Sequence, residues 1–386
     1  MNQPSKQACV VIIAGEASGD QHGANLVRAM QKKHPQSFFC GIGGPALRQA
    51  NVRILVDASE LSVVGFTEVF SKTRGILKGI GMIRNLLKSL QPDLVILIDF
   101  PDFNLHIAAA AKKLKIPVLY YISPQIWAWR QARIKRIVKL VDHMAVILPF
   151  EAKLYKEYNI PVTFVGHPLL DALSPVMKHK EKTGVEEQHV IGLLPGSREN
   201  EIDRHLPVML ETADILKEKL KHVAFVVSHA PSVESKHIGA IIKDHSSGLP
   251  FEVVSGGVDK VFERCDLVVA ASGTVTLQAA IHGTPMVIIY KLSPLSYWLG
   301  KTLIRVPNIG LVNLVAGKQI VPEFVQHQAN ADNIASAVEN MLDGSVDLDC
   351  LKQQLLTLQD VLGGAGASER VADIAWGMLK SSMVSR

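Results

Sequence analysis

LVILIDFPDFNLH, residues 94–106, decides the fold. Its first five residues are aliphatic without interruption, so no polar face is left for solvent. A short run of this kind reads as a strand buried on both sides, which belongs in a parallel sheet covered by helices on both faces. The run stops at Asp99, with Phe100, Pro101 and Asp102 behind it. A buried carboxylate is costly unless it is paired or has chemical work to do. The same stretch therefore raises two questions, the architecture and the task of the carboxylates.

The architecture follows from repetition. ACVVIIAG, SFFCGIGG, PVLYYIS, MAVILP and VTFVGHP in the first half, and VIGLLPGS, VAFVVS, FEVVS, LVVAASG and PMVIIYK in the second, share the pattern of residues 94–99. Each is rich in Val and Ile and stops at Gly, Ser, Pro or Asp. Helix-length segments lie between them; ADNIASAVENMLDG puts Ile334, Val338, Met341 and Leu342 on one face and ends at Gly344. Strand–helix alternation predicts α/β, doubly wound parallel sheets. The 386 residues exceed one ordinary core, and the polar run HKEKTGVEEQH near residues 165–189 separates two series of units. We expect a Rossmann-like domain over residues 1–168, a second over 186–360, and a C-terminal helix in 361–386 packing back on the first domain. In such sheets ligands sit beyond the carboxyl ends of the strands.

Composition narrows the function less. Hydrophobic residues make up 48% and charged residues 20%, which excludes a disordered chain, and the net charge of +5 suits any anionic partner. Cys9, Cys40, Cys265 and Cys350 form no CxxC pair and read as reduced thiols, not nucleophiles. Lys6 followed by ACVVIIAG imitates a signal peptide, but the acidic turn GEASGD follows at once, so a first strand is expected. No apolar run reaches the ~18 residues of a spanning helix. The histidines show no metal-ligand spacing, and Asp347-Leu348-Asp349 reads as a solvated turn.

The strand ends carry the chemistry. GEASGDQHGANL, residues 15–26, has glycines for a tight turn, but it is not a GxGxxG fingerprint, and Glu16 and Asp20 would repel a phosphate. It suits a sugar contact or a plain helix start. LLPGSREN, residues 193–200, places Ser197 and Arg198 ahead of a helix, where a guanidinium can fork onto phosphate oxygens. In ASGTVTLQ, residues 271–278, Ser272, Gly273 and Thr274 leave room for a diphosphate at a helix start, with Gln278 one turn along. An ordinary serine cap fits the same residues. SPQIWAWRQARIKRI, residues 123–137, mixes Trp127 and Trp129 with basic residues. A nucleic-acid strand would fit it, but Ile134, Ile137, Val138 and Val141 make an ordinary amphipathic helix, so no nucleic-acid partner is expected. Residues 61–87 and 292–305 are apolar and basic together, which fits a membrane-interface or acyl-chain surface and equally a core helix with solvated ends.

Taken in order, GEASGDQHGANL, IDFPDFN, SPQIWAWR, GHPLLD, LLPGSRENEI, SGTVTLQAAIHGTPMVIIYK and GLVNLVAG resemble the lipid-A-disaccharide synthase family of inverting glycosyltransferases, over roughly residues 8–325. The resemblance implies a GT-B architecture, two Rossmann-like domains facing across a cleft. It implies condensation of UDP-2,3-diacylglucosamine with 2,3-diacylglucosamine 1-phosphate to a β-1,6 disaccharide 1-phosphate plus UDP, without metal or other cofactor, at the cytoplasmic face of the inner membrane. On it, Asp99 is the catalytic base, Asp102 orders the loop or meets the acceptor, and Glu16 contacts sugar or orders the site. Ser197, Arg198, Ser272, Gly273, Thr274 and Asn313 face the UDP-sugar. Gln278 stands where GT-B enzymes often have a ribose-binding glutamate, which weakens that contact. Val64, Phe66, Val69, Phe70 and Trp298 are the expected lipid or membrane contacts. A homodimer is compatible with the chain, though no segment specifies one. The competing readings are a UDP-N-acetylglucosamine 2-epimerase, which shares the two-domain plan, and a basic lipid- or RNA-binding protein.

Overall fold

Residues Leu94–Ile98 form a strand in which every side chain is buried. The computed structural model describes residues 7–60, 69–124, 126, 133–172, 188–245, 248–292 and 308–384, without the side chains of 60, 69–76, 383 and 384. It divides into two units, residues 1–172 with 362–386, and 173–361.

Among the described residues, unit 1 holds seven parallel strands: β1 (Cys9–Ala14), β2 (Phe38–Gly43), β3 (Arg53–Asp57), β4 (Leu94–Ile98), β5 (Val118–Tyr121), β6 (His143–Val146) and β7 (Val162–Phe164). They lie in the order β3-β2-β1-β4-β5-β6-β7. Its helices are α1 (Ala17–Lys33), α2 (Pro45–Gln49), α3 (Val69–Leu90), α4 (Pro101–Lys113), α5 (Ile134–Leu140) and α6 (Pro149–Glu157). Unit 2 holds β8 (His189–Leu194), β9 (Val223–His229), β10 (Phe251–Ser255), β11 (Leu267–Ala271), β12 (Met286–Tyr290) and β13 (Glu323–Val325), in the order β10-β9-β8-β11-β12-β13. Around them lie α7 (Glu199–Lys219), α8 (Ser235–His245), α9 (Asp259–Phe262), α10 (Thr274–Ile281), α11 (Leu311–Ala316), α12 (Ala331–Leu342) and α13 (Leu348–Val361). Helix α14 (Ala367–Val384) belongs to unit 1.

The period-2 geometry of each strand divides its side chains between two cores. Val11, Ile13, Val95, Leu97 and Tyr120 face Ile83 and Leu87 of α3 and Phe103 and Ile107 of α4. Val10, Ile12, Leu94, Ile96 and Tyr121 face Leu26 and Met30 of α1 and Val371, Ala372 and Ala375 of α14. This is why LVILI has no polar position: both of its faces are interior.

The alternation of runs missed β3 and β13. Both are short edge strands whose side chains are mostly part-exposed, so their hydrophobic signal is diluted. Two expectations need correction. Asp347 and Asp349 are solvent-exposed as expected, but they open a helix and not a turn: the Asp347 carboxylate accepts from the Cys350 N–H at 2.9 Å and caps the start of α13. Val138 is not on the buried face of α5, since it is 37% exposed while Ile134 and Ile137 are buried.

Candidate active site

In each sheet the connection reverses direction beside the first strand. That point lies between β1 and β4 in unit 1 and between β8 and β11 in unit 2. Loops leaving two such neighbours diverge and open a crevice between them. The pairing Ala14↔Ile98 sets Glu16 beside Asp99, and Leu194↔Ala270 sets Ser197 and Arg198 beside Ser272–Thr274. Glu16 and Asp99 thus gather at one switch point, and Ser197, Arg198 and Ser272–Thr274 at the other, one set in each unit.

In unit 1, Asp99 ends β4 with φ 44°, and Phe100 follows with φ 46°. Both lie in the left-handed region, which is disfavoured for residues carrying Cβ. The turn folds the Phe100 ring over Gly15, where a Cβ would sit 2.3 Å from a ring carbon; only glycine fits. Asp99 is half-buried, and its carboxyl is pushed up to about 6, first by desolvation and then by the neighbouring Glu16 charge. Glu16 itself is exposed at the N-terminus of α1. Asp102 is exposed in the first turn of α4 and pairs with Arg133. Asp20 points elsewhere: its carboxylate accepts from the Gly44, Ala46 and Leu47 N–H groups at 2.6, 2.8 and 3.2 Å and caps α2.

In unit 2, Gly196 (φ 127°) turns the chain out of β8 so that Ser197 and Arg198 open α7. The exposed Arg198 guanidinium donates to Glu201 at 3.0 Å, and Glu201 also accepts from the Ser197 N–H at 3.1 Å. A carboxylate resting on these donors shows that they suit an anion. Ser272 is half-buried and its hydroxyl donates to the Ile309 carbonyl at 3.3 Å. Thr274 is exposed at the first position of α10, and Gln278 is half-buried one turn along. Asn313 is fully buried and presents nothing outward. Its amide nitrogen donates to the Val321 carbonyl and Glu323, and its oxygen accepts from the Ile320 and Val321 N–H groups. Glu323 in turn accepts from the N–H groups of Ile309 and Gly310. Asn313 therefore acts beneath the site, on the Ile309 turn against which Ser272 rests.

Sequence reasoning missed His205. It is 1% exposed, inside α7. The Lys291 N–H donates to its Nε2 at 2.9 Å, so Nδ1 carries the proton and donates to the Pro195 carbonyl, also at 2.9 Å. It braces the ends of β8 and β12 together. Strand-like and helical patterns cannot reveal such a contact between two distant loops. The expected membrane residues Val64, Phe66 and Trp298, and Trp127 and Trp129, lie outside the described residues, as do the side chains of Val69 and Phe70. Among the described residues, no helix is long and apolar enough to cross a membrane.

A family model described as lipid-A-disaccharide synthetase matches residues 10–362. The lipid-A-disaccharide synthase of Geobacter metallireducens is 45% identical over 97% of this chain and 98% of its own. That of Geobacter sulfurreducens is 46% identical over 96% and 97%. Solved structures at much lower identity share the fold. The UDP-GlcNAc 2-epimerase of Neisseria meningitidis bound to UDP-GlcNAc superposes with a TM-score of 0.64 at 14% identity, covering 96% of this chain and 100% of that one. The MurG of Acinetobacter baumannii gives 0.57 at 13%, covering 96% and 99%. The epimerase likeness extends to fold alone, whereas the sequence match spans nearly the whole length, and the chain belongs to the lipid-A-disaccharide synthase family of GT-B glycosyltransferases.

Proposed function

We propose that this chain transfers 2,3-diacylglucosamine from its UDP donor to the 6-hydroxyl of 2,3-diacylglucosamine 1-phosphate, with inversion, giving the β-1,6 disaccharide 1-phosphate and UDP. The observation that carries the mechanism is Asp99: a half-buried carboxyl at the β1/β4 switch point, pushed up to about 6 beside Glu16. Inversion in one displacement needs a base on the acceptor side, working near neutral pH. At pH 7 a carboxyl of this kind is mostly ionised yet basic enough to take the hydroxyl proton as oxygen attacks the anomeric carbon. Glu16 lies beside it to meet the acceptor sugar. Asp102, held by Arg133, orders the first turn of α4.

Unit 2 would hold the donor. As the glycosidic bond breaks, negative charge grows on the β-phosphate. Arg198, the Ser197 and Thr274 hydroxyls and the N–H groups around Gly273 are the donors at the β8/β11 switch point to receive it. On donor binding, Ser197 and Arg198 would exchange the Glu201 carboxylate for that diphosphate. Gln278 offers an amide oxygen to the ribose, without the strength of a carboxylate. The apolar, basic segments 61–87 and 292–305, with Val64, Phe66, Val69, Phe70 and Trp298, would meet the acyl chains and the inner-membrane surface.

The test is turnover of the two acylated substrates in detergent by the purified chain, wild type against Asp99→Asn. Disaccharide should form with the wild type and fall about 10²–10⁴-fold in the variant. Conversion of the UDP-sugar without acceptor would instead support an epimerase. Undiminished turnover by the variant would remove Asp99 as the base.

A further inference from the structure

The left-handed turn at Asp99 and Phe100 needs something to hold it, because two consecutive residues with Cβ do not rest there unaided. Two buried side chains converge on the carbonyl of Asp99. The Tyr120 hydroxyl donates to it at 2.6 Å, and the Asn104 side-chain nitrogen donates to it at 2.7 Å. The same nitrogen reaches the Ile98 carbonyl at 3.1 Å. Both side chains are fully buried.

These contacts are not the ordinary start of a helix. An N-terminal cap accepts from free N–H groups, and α4 has no side-chain cap. Asn104 does the reverse and donates to the last carbonyls of the strand. Two carbonyl acceptors also fix which way its amide points, since a flipped amide would set oxygen against oxygen. Its own oxygen is buried with no partner among the described residues, a sacrifice that plain packing would not require. Tyr120 is a dependable donor: burial, then the Asp99 charge, pushes its hydroxyl well above the ordinary phenol range.

We propose that Asn104 and Tyr120 are positioning residues for Asp99. Their two hydrogen bonds to its carbonyl hold the strand end in the left-handed turn that keeps the carboxylate half-buried beside Glu16. Neither touches substrate; they act through the backbone. The proposal rests on Asp99 as the base, and its test separates the two ideas.

The full chain is prepared as wild type, Tyr120→Phe, Asn104→Ala and Asp99→Asn. Tyr120→Phe removes a single oxygen and keeps the ring, so it remains informative even where Asn104→Ala fails to fold. Two measurements are made: the pH profile of kcat with both KM values, and the carboxyl titration of Asp99 by NMR without substrate, assigned by its loss in Asp99→Asn. In Tyr120→Phe the turn relaxes, the Asp99 midpoint and the acid limb of kcat both move down from about 6 toward the ordinary carboxyl range, kcat falls about tenfold, and KM for the UDP-sugar is unchanged. A fall in kcat with the Asp99 titration unmoved overturns the proposal, and so does wild-type behaviour of both variants. If Asp99→Asn turns over normally, the base assignment fails, while the titration still decides whether the two residues hold Asp99.

Discussion

At the residue scale, Asp99 sets function against stability. Its folded pKa is about 6, whereas an unfolded aspartate titrates near 3.8. Between those values the folded state binds more protons, so stability declines as pH rises through that window. Above it the ionised carboxylate costs on the order of 2–3 kcal/mol. Asp99→Asn should therefore raise stability by up to that amount at pH 7–8, with the gain shrinking to nothing below about pH 4; denaturant melts across pH check it. Asparagine also tolerates the left-handed region better than most residues. An inactive but more stable variant is the signature of a strained catalytic position. The carboxylate was legible in the sequence, because a buried run ending in Asp asks for a task. The left-handed turn was not, since it depends on Tyr120 in another strand. Nor was the way Asn313 works: the family motif marked the residue, while its burial under the Ile309 turn needed coordinates.

At the element scale, the loop that follows β8 depends on a brace that no local pattern announces. Burial lowers the pKa of His205, so it stays neutral and keeps Nε2 free to accept from Lys291. Its contribution is complete above about pH 6.5 and is lost as pH falls through its lowered value. His205→Leu leaves the Pro195 carbonyl and the Lys291 N–H without this partner. It should cost about 2–4 kcal/mol and weaken the stabilisation by UDP, read as a smaller UDP-induced rise in Tm than wild type shows. An unchanged rise would separate the brace from the nucleotide loop. The long central elements were legible for a complementary reason: a strand with helices on both sides has no polar face to confuse its period. The edge strands β3 and β13 lacked that advantage.

At the scale of the whole molecule, the division into two doubly wound units was legible from the strand–helix alternation. The route of the chain through them is fixed by particular contacts. The chain leaves unit 1 after Ala172 and returns at Leu362. Asp171 fastens the return, accepting from the N–H groups of Gly366, Ala367 and Ser368 at 2.7, 2.9 and 3.0 Å and from the Ser368 hydroxyl at 2.8 Å. Arg370 donates to the Val165 carbonyl at 2.7 Å, over Gly166 (φ 80°), where a Cβ would lie 2.6 Å from the guanidinium. Partial burial pushes the Asp171 carboxyl up, but the Ser368, Ala367 and Gly366 donors outweigh it and hold it below the usual range. That stabilisation is present above the ordinary carboxyl pKa and is lost as pH falls through the lowered one. Asp171→Ala should cost about 2–3 kcal/mol, with hydrogen exchange rising first at residues 366–370. Exchange rising uniformly instead would show that Asp171 does not anchor α14. Since α14 supplies Val371, Ala372, Ala375 and Leu379 to the core over α1, the order of synthesis matters. A ribosome making about 5–20 residues per second must translate residues 173–361 before that core can close. For about 10–40 s α1 covers its part of that face of the nascent first sheet while the share of α14 stays bare, a natural substrate for chaperones, and a premature stop between residues 361 and 367 would strike the first unit.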